Sequence, residues 1–130
     1  DYKWNRDGHG IAIGGFGLTM KSSDMLKIGT LYLNEGRWKS KQIVPLDWTK
    51  ESTSMKVKVD DTFSYAYHWW NKQLDHQEGR IYYASGYEGQ YIIIAPEEQL
   101  VAVLTGSRKD DTVSPLQYVE EYLLHSTVKK

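Results

Sequence analysis

The chain of 130 residues contains no cysteine, which excludes disulfides, thiolate catalysis and cysteine-type zinc sites. That absence does not identify a compartment, because many secreted proteins also lack cysteine. Long apolar runs are missing too. None approaches the roughly 20 residues that cross a bilayer, and no signal peptide is visible. An excess of one charge is also missing: 16 Lys plus Arg stand against 17 Asp plus Glu. No basic stripe stands out, so nucleic acid is a poor partner. His9, His68, His76 and His125 are scattered, with no His-x-x-x-His and no compact carboxylate cluster. No metal site and no cofactor is expected from them.

What is present is an apolar fraction of 40% with 25% charged residues, the composition of one globular domain with a single sizeable core. Its aromatics are unusual: five Trp and ten Tyr against two Phe. Rings with a polar handle favour half-wet places such as clefts and interfaces, although most serve in cores and on sheet surfaces. The chain opens on Asp1-Tyr2-Lys3-Trp4 rather than Met. We therefore read residues 1–130 as a single-domain fragment excised from something longer.

Element signals follow in order. The glycine-rich opening, "DYKWNRDGHGIAIGGFGLTM", reads as an irregular loop, and without a following Gly-Lys-Ser/Thr its "GGFG" is no phosphate loop. A helix is predicted next, with Ser22 as cap, Asp24 in the first turn, and Met25, Ile28 and Tyr32 at helical spacing. Asn34-Glu35-Gly36 ends it, Gly36 taking the left-handed cap conformation. A shorter helix starts near Pro45 and runs to about Ser52. "MKVKVDD" fits either a short edge strand or a solvated loop. "YAYHWWNKQ" has strand composition, "LDHQEG" is a break, and "RIYYAS", "QYIIIA" and "LVAVLTG" are further strands. The last two are apolar at consecutive positions, as in a sheet covered on both faces. A closing amphipathic helix is capped by Ser114, begins at Pro115, and turns Leu116, Val119, Tyr122 and Leu123 inward. The class is α+β, an antiparallel sheet covered by helices.

The ordered set "GGFGLTMKSSDMLKIGTLYLNEGRW", "IVPLDW", "YAYHWW", "ASGYEGQYIIIAP", "LVAVLTG" resembles the C-terminal part of serine hydrolases related to class C β-lactamases and penicillin-binding proteins. The likeness runs from Trp4 to Leu124 and is closest in look to the branch of aminohexanoate-oligomer hydrolases and esterases. It implies ester or amide hydrolysis through an acyl-serine, on a small-molecule ester, amide or peptide substrate. Such enzymes use Ser-x-x-Lys, a Tyr-x-Asn or Tyr-x-Ser tyrosine, and Lys-Thr-Gly or a relaxed version on the edge strand beside the serine.

No Ser-x-x-Lys is expected anywhere in these 130 residues; Thr53-x-x-Lys56 is the nearest approach, in the wrong place for the family order, and the nucleophile is expected outside this chain. Tyr32-Leu33-Asn34 matches Tyr-x-Asn literally but lies at a helix end, where Tyr32 is expected to pack and Asn34 to end the helix. By resemblance, Ala84-Ser85-Gly86 takes the place of Lys-Thr-Gly. The backbone N–H of Tyr87 then contributes to the oxyanion hole. Ala84 departs from the lysine, which points away from recognition of a substrate carboxylate. It favours an esterase or amidase over a β-lactam hydrolase. Glu88 and Gln90 are further substrate-site candidates, Glu88 reaching into the cleft or solvated in the turn, Gln90 bonding across to the glycine-rich loop. His9, in Asp7-Gly8-His9-Gly10, is a weaker candidate for the site border.

The plainer reading of Gly86 and Gly89 is a tight hairpin that needs positive backbone angles. A competing function is a non-catalytic, aromatic-rich module for peptide or carbohydrate. It would expose several of Trp69, Trp70, Tyr82, Tyr83 and Tyr91 on one face. Apolar surface left uncovered by a missing N-terminal part invites self-association.

Overall fold

In the computed structural model, which describes residues 1–74, 79–107 and 114–124, six antiparallel strands form one meander. They are β5 (Val57–Lys58), β6 (Phe63–Ala66), β7 (Trp69–Gln73), β8 (Arg80–Gly86), β9 (Gln90–Ala95) and β10 (Leu100–Leu104), each beside its neighbour in sequence. Ahead of them come β1 (Tyr2–Trp4), β2 (Leu18–Met20), helix α1 (Ser22–Leu33), the two-residue pair β3 (Arg37–Trp38) and β4 (Lys41–Gln42), and helix α2 (Leu46–Ser52). Two corrections fall here. The glycine-rich opening is not wholly irregular, because β1 and β2 pair around it. The stretch "YAYHWWNKQ" is two strands, not one.

That second difference has a backbone cause. Tyr67 and His68 both take positive φ, 43° and 76°, and make a two-residue reversal between β6 and β7. Such turns favour Asn-Gly or Asp-Gly, so Tyr-His gave no turn signal. Each non-glycine residue in that region costs roughly 1–2 kcal/mol. Tyr67 offsets part of it by packing its ring on Trp48 of α2, with centroids 5.0 Å apart.

The predicted double-sided burial is present. Ile92, Ile93, Ile94 and Ala95 are consecutive and all buried. Alternation along β9 sends Ile93 to a cluster with Ile81, Tyr83, Leu116, Val119 and Leu124, and Ile94 to one with Trp69 and Tyr82. Fully burying each isoleucine contributes about 1.5–3 kcal/mol. Helix α1 covers the second face. It comes close because Gly29 stands over Ile92 and Val101, where an added Cβ would lie 3.0 Å from Ile92 and closer still to Val101. The first turn of α1 is set by Lys21, not Ser22, in the cap position. Gly36, at φ 81°, closes the other end as expected.

The opposite face is covered by α3 (Pro115–Tyr118), which continues as a π-helix from Val119 to Leu124. Pro115 occupies the first turn, but the Ser114 side chain makes no cap bond. The wider winding changes which residues point inward. Val119 and Leu124, five apart, are buried, whereas Tyr122 and Leu123 are 61% and 42% exposed. The π pattern of i to i+5 bonds explains why a stripe read at α-helical spacing placed Tyr122 and Leu123 wrongly. Lys72 of β7 ties this helix to the sheet through Glu120, at 2.5 and 2.6 Å. None of the described helices is long and apolar enough to cross a membrane. The break containing His76, the residues Asp110-Asp111, and His125 lie outside the described residues.

Gly29→Ala gains about 1 kcal/mol of helix propensity but overpacks a rigid valine, which costs about 1–3 kcal/mol. A net loss of stability in denaturant melts is expected, and adding Val101→Ala should recover most of it. Equal losses from the two changes, simply summed, would mean the helix does not rest there. Burial also pushes the phenols of Tyr82 and Tyr83 up to about 12 from 10.0. Their neutral forms are favoured in the fold, so this contribution is intact below pH 10 and is lost as pH rises toward 12. Tyrosinate absorbance should show two of the ten tyrosines ionising last, together with falling stability.

Candidate functional site

Strand β8 carries the candidate residues to one end of the sheet. It pairs with β9 along its length, from Tyr82 opposite Ile94 to Gly86 opposite Gln90. With β7 it pairs only from Arg80 to Tyr83, because β7 turns back at the Tyr67-His68 reversal. β8 is therefore an interior strand, not the exposed edge strand the resemblance suggested. Its last residues, Ala84 to Gly86, nevertheless run past the ladder, and only that end is open on the β7 side.

Alternation divides those three residues. Ala84 packs with the Trp69, Tyr82 and Ile94 cluster under α1, and Ser85 points to the other face, into a cavity of about 340 Å³. Tyr83, Trp70, Tyr91 and Phe63 form most of that cavity's wall, with Val59 and Asp60 closing one side. Asp60 is held in place, its Oδ1 accepting the N–H groups of Thr62 and Phe63 at 2.8 Å each.

The two glycines of "GYEG" do different jobs. Gly89 takes φ 88° and Glu88 φ 57°, so the hairpin reversal needs Gly89. Gly86 has no positive φ; a Cβ there would meet the Gln90 Cβ at 3.0 Å and the Gln90 backbone oxygen at 3.6 Å. The plain hairpin reading thus accounts for Gly89 and not for Gly86. Tyr87 is 87% exposed, and among the described residues its N–H donates to no protein group.

Glu88 is neither in the cavity wall nor simply solvated, since it accepts a hydrogen bond from Ser107 Oγ at 3.0 Å. Gln90 donates from Nε2 to the Gly106 carbonyl, so its bond crosses to the end of β10 and not to the loop of residues 8–17. Both fix the exit of β10 against the β8–β9 hairpin. His9 lies exposed in a loop that Asp7 organises, its carboxylate accepting the N–H groups of His9 and Ile11 at 2.9 Å each.

Tyr32 and Asn34 act as expected, Tyr32 packing on Trp69 with centroids 4.6 Å apart and Asn34 capping α1. The nucleophile needs one correction from the sequence itself. A literal Ser-x-x-Lys is present as Ser126-Thr127-Val128-Lys129. It follows the sheet instead of preceding it, and it lies outside the described residues. Asp60, Phe63 and Trp70 were missed as cavity residues, since the hidden reversal at Tyr67-His68 concealed that three strands converge beside Ser85. The open platform is not formed. Trp69, Tyr82 and Tyr83 are buried, and the rings divide between the two faces.

No family model matches the chain, and no curated protein does. A solved structure of a protein from Bacillus anthracis, assigned as a 6-aminohexanoate-dimer hydrolase, superposes with a TM-score of 0.74 at 23% identity. The match covers 97% of this chain and 33% of the other, so the chain spans about a third of that protein's length. The likeness shows the fold: the described residues have the α+β architecture of part of a β-lactamase-like fold.

Proposed function

We propose that this chain is the C-terminal part of a serine hydrolase, related to class C β-lactamases and penicillin-binding proteins, that cleaves esters or amides through an acyl-serine. The observation that carries this reading is the open end of β8. There Tyr87, an exposed residue whose N–H donates to no described protein group, follows Gly86 and stands two residues beyond Ser85 in the wall of an aromatic cavity. A donor held on the end of a rigid strand can meet the charge that develops on an acyl oxygen without reorganising. The name of the Bacillus anthracis protein supports amide hydrolysis as the reaction type.

In this account the serine attacks the carbonyl carbon, the oxygen becomes an oxyanion beside Tyr87 N, and the alcohol or amine leaves with a proton. Water then releases the acid. Ala84 contributes no cation, so a substrate carboxylate finds no partner at that position, and simple esters and amides are favoured over β-lactams. The nucleophile and its lysine are assigned to a part of the polypeptide outside residues 1–130. Surface such as Trp48 and Met55, 44% and 60% exposed, would be covered by that part or by self-association.

Tyr87→Pro tests the donor, because proline removes the N–H and leaves the carbonyl. In the natural polypeptide that contains this chain, it should lower turnover of a nitrophenyl ester by about 10²–10³-fold. Tyr87→Ala, which keeps the N–H, should stay near the wild-type rate, with both variants melting like the parent. A fluorophosphonate should label a serine outside residues 1–130. Full activity in Tyr87→Pro would remove the oxyanion role, and a label on Ser126 would relocate the nucleophile.

A further inference from the structure

The face of the sheet that Ser85 shares carries a row of rings with one ring on each of four neighbouring strands. Register places Tyr65 opposite Trp70, Trp70 opposite Tyr83, and Ser85 opposite Tyr91. The rings touch in sequence: Tyr65 meets Trp70 edge-on at 4.9 Å, Trp70 lies nearly parallel to Tyr83 at 6.4 Å, and Tyr83 meets Tyr91 at 6.0 Å. Core packing explains Tyr83, which is buried. Trp70 and Tyr91 pack against the same core yet remain half-buried beside an unfilled volume of about 340 Å³. That volume lies in the usual range for a small-molecule pocket, roughly 300–1,000 Å³.

Charge around this cavity is one-sided. The carboxylate of Asp60 is fixed at its rim by two backbone N–H bonds. Lys72, 5.9 Å from the Phe63 ring, is already bound to Glu120 at 2.5 Å, and Lys58, next to Val59 in the chain, is bound to Asp61 at 2.6 Å. Among the described residues of its wall, an arriving carboxylate would therefore meet one anchored negative charge and no positive one. A neutral ring or alkyl chain meets apolar ring faces, and burying both removes apolar surface from water.

We infer that the cavity beneath Ser85 is a specificity subsite that takes an uncharged aryl or alkyl group of the substrate and turns away carboxylates. This rests on Gly86–Tyr87 being the reacting end, since Ser85 lies within two residues of the donor. The inner end of a bound group would lie against Trp70 and Tyr83, with its scissile carbonyl toward Tyr87.

Binding can be measured directly, on the natural polypeptide that contains this chain, by tryptophan fluorescence with two matched probes. These are 4-phenylbutyramide, which is neutral, and 4-phenylbutyrate, which carries a carboxylate. Saturable binding of the amide is expected, with the carboxylate weaker by about tenfold or more, because an unpaired charge is costly beside another of its sign. Ser85→Phe should fill the mouth of the cavity and abolish the amide signal. Asp60→Asn should bring the carboxylate to within about twofold of the amide, a gap of about half a kcal/mol. Absence of saturable amide binding, or binding untouched by Ser85→Phe, would overturn the inference. Selective binding by a chain whose natural polypeptide hydrolyses no ester would keep the subsite and remove the hydrolase reading. Ester hydrolysis without selectivity would do the reverse.

Discussion

Ile93 and Ile94 are neighbours in the chain, yet both are almost fully buried, at 1% and 0% exposure. A strand can bury consecutive residues only when its sheet has a packed layer on each side. Everything else in the domain meets that requirement. α1 closes one face by approaching at Gly29, and the C-terminal helix closes the other through Val119, Leu124 and the Lys72–Glu120 ion pair. With β9 held between the two layers, β8 is fixed beside it in a single register, because a one-residue slip would exchange the two faces.

That register determines where chemistry can happen. β8 pairs with β9 as far as Gly86, while its pairing with β7 stops three residues earlier, at Tyr83, beside a strained reversal. The mismatch leaves Ala84, Ser85 and Gly86 projecting from a rigid sheet. Alternation then assigns Ala84 to the core and Ser85 to the aromatic cavity. Tyr87, beyond the last ladder pair, has an N–H that donates to no described protein group. The strain at Tyr67 and His68 sits far from β8 in sequence but sets the length of its free end, in keeping with the tendency of such backbone outliers to cluster near working sites.

Much of this was legible in the sequence. Consecutive apolar residues in "QYIIIA" announced a two-sided sheet, and Asn34-Glu35-Gly36 announced the end of α1. The order of weak motifs pointed to the fold that structural comparison shows. Three features were not legible, each for a physical reason. Tyr67-His68 reverses the chain without the residues that normally signal it. The C-terminal helix winds with a wider period than the one used to read its stripe. The cavity joins Asp60, Trp70 and Tyr91, which only the long-range ladder brings together. Pairing across strands separated by loops is information that local spacing does not carry.

The central claim is that Tyr87 N–H faces the reacting oxygen. The most direct measurement is a crystal structure of the natural polypeptide carrying a phosphonyl group on its nucleophile. The account predicts a phosphonyl oxygen about 2.7–3.1 Å from Tyr87 N, with Gly86 directly beside the adduct. An oxygen bound elsewhere, or a Tyr87 N–H engaged by another protein group, would contradict it.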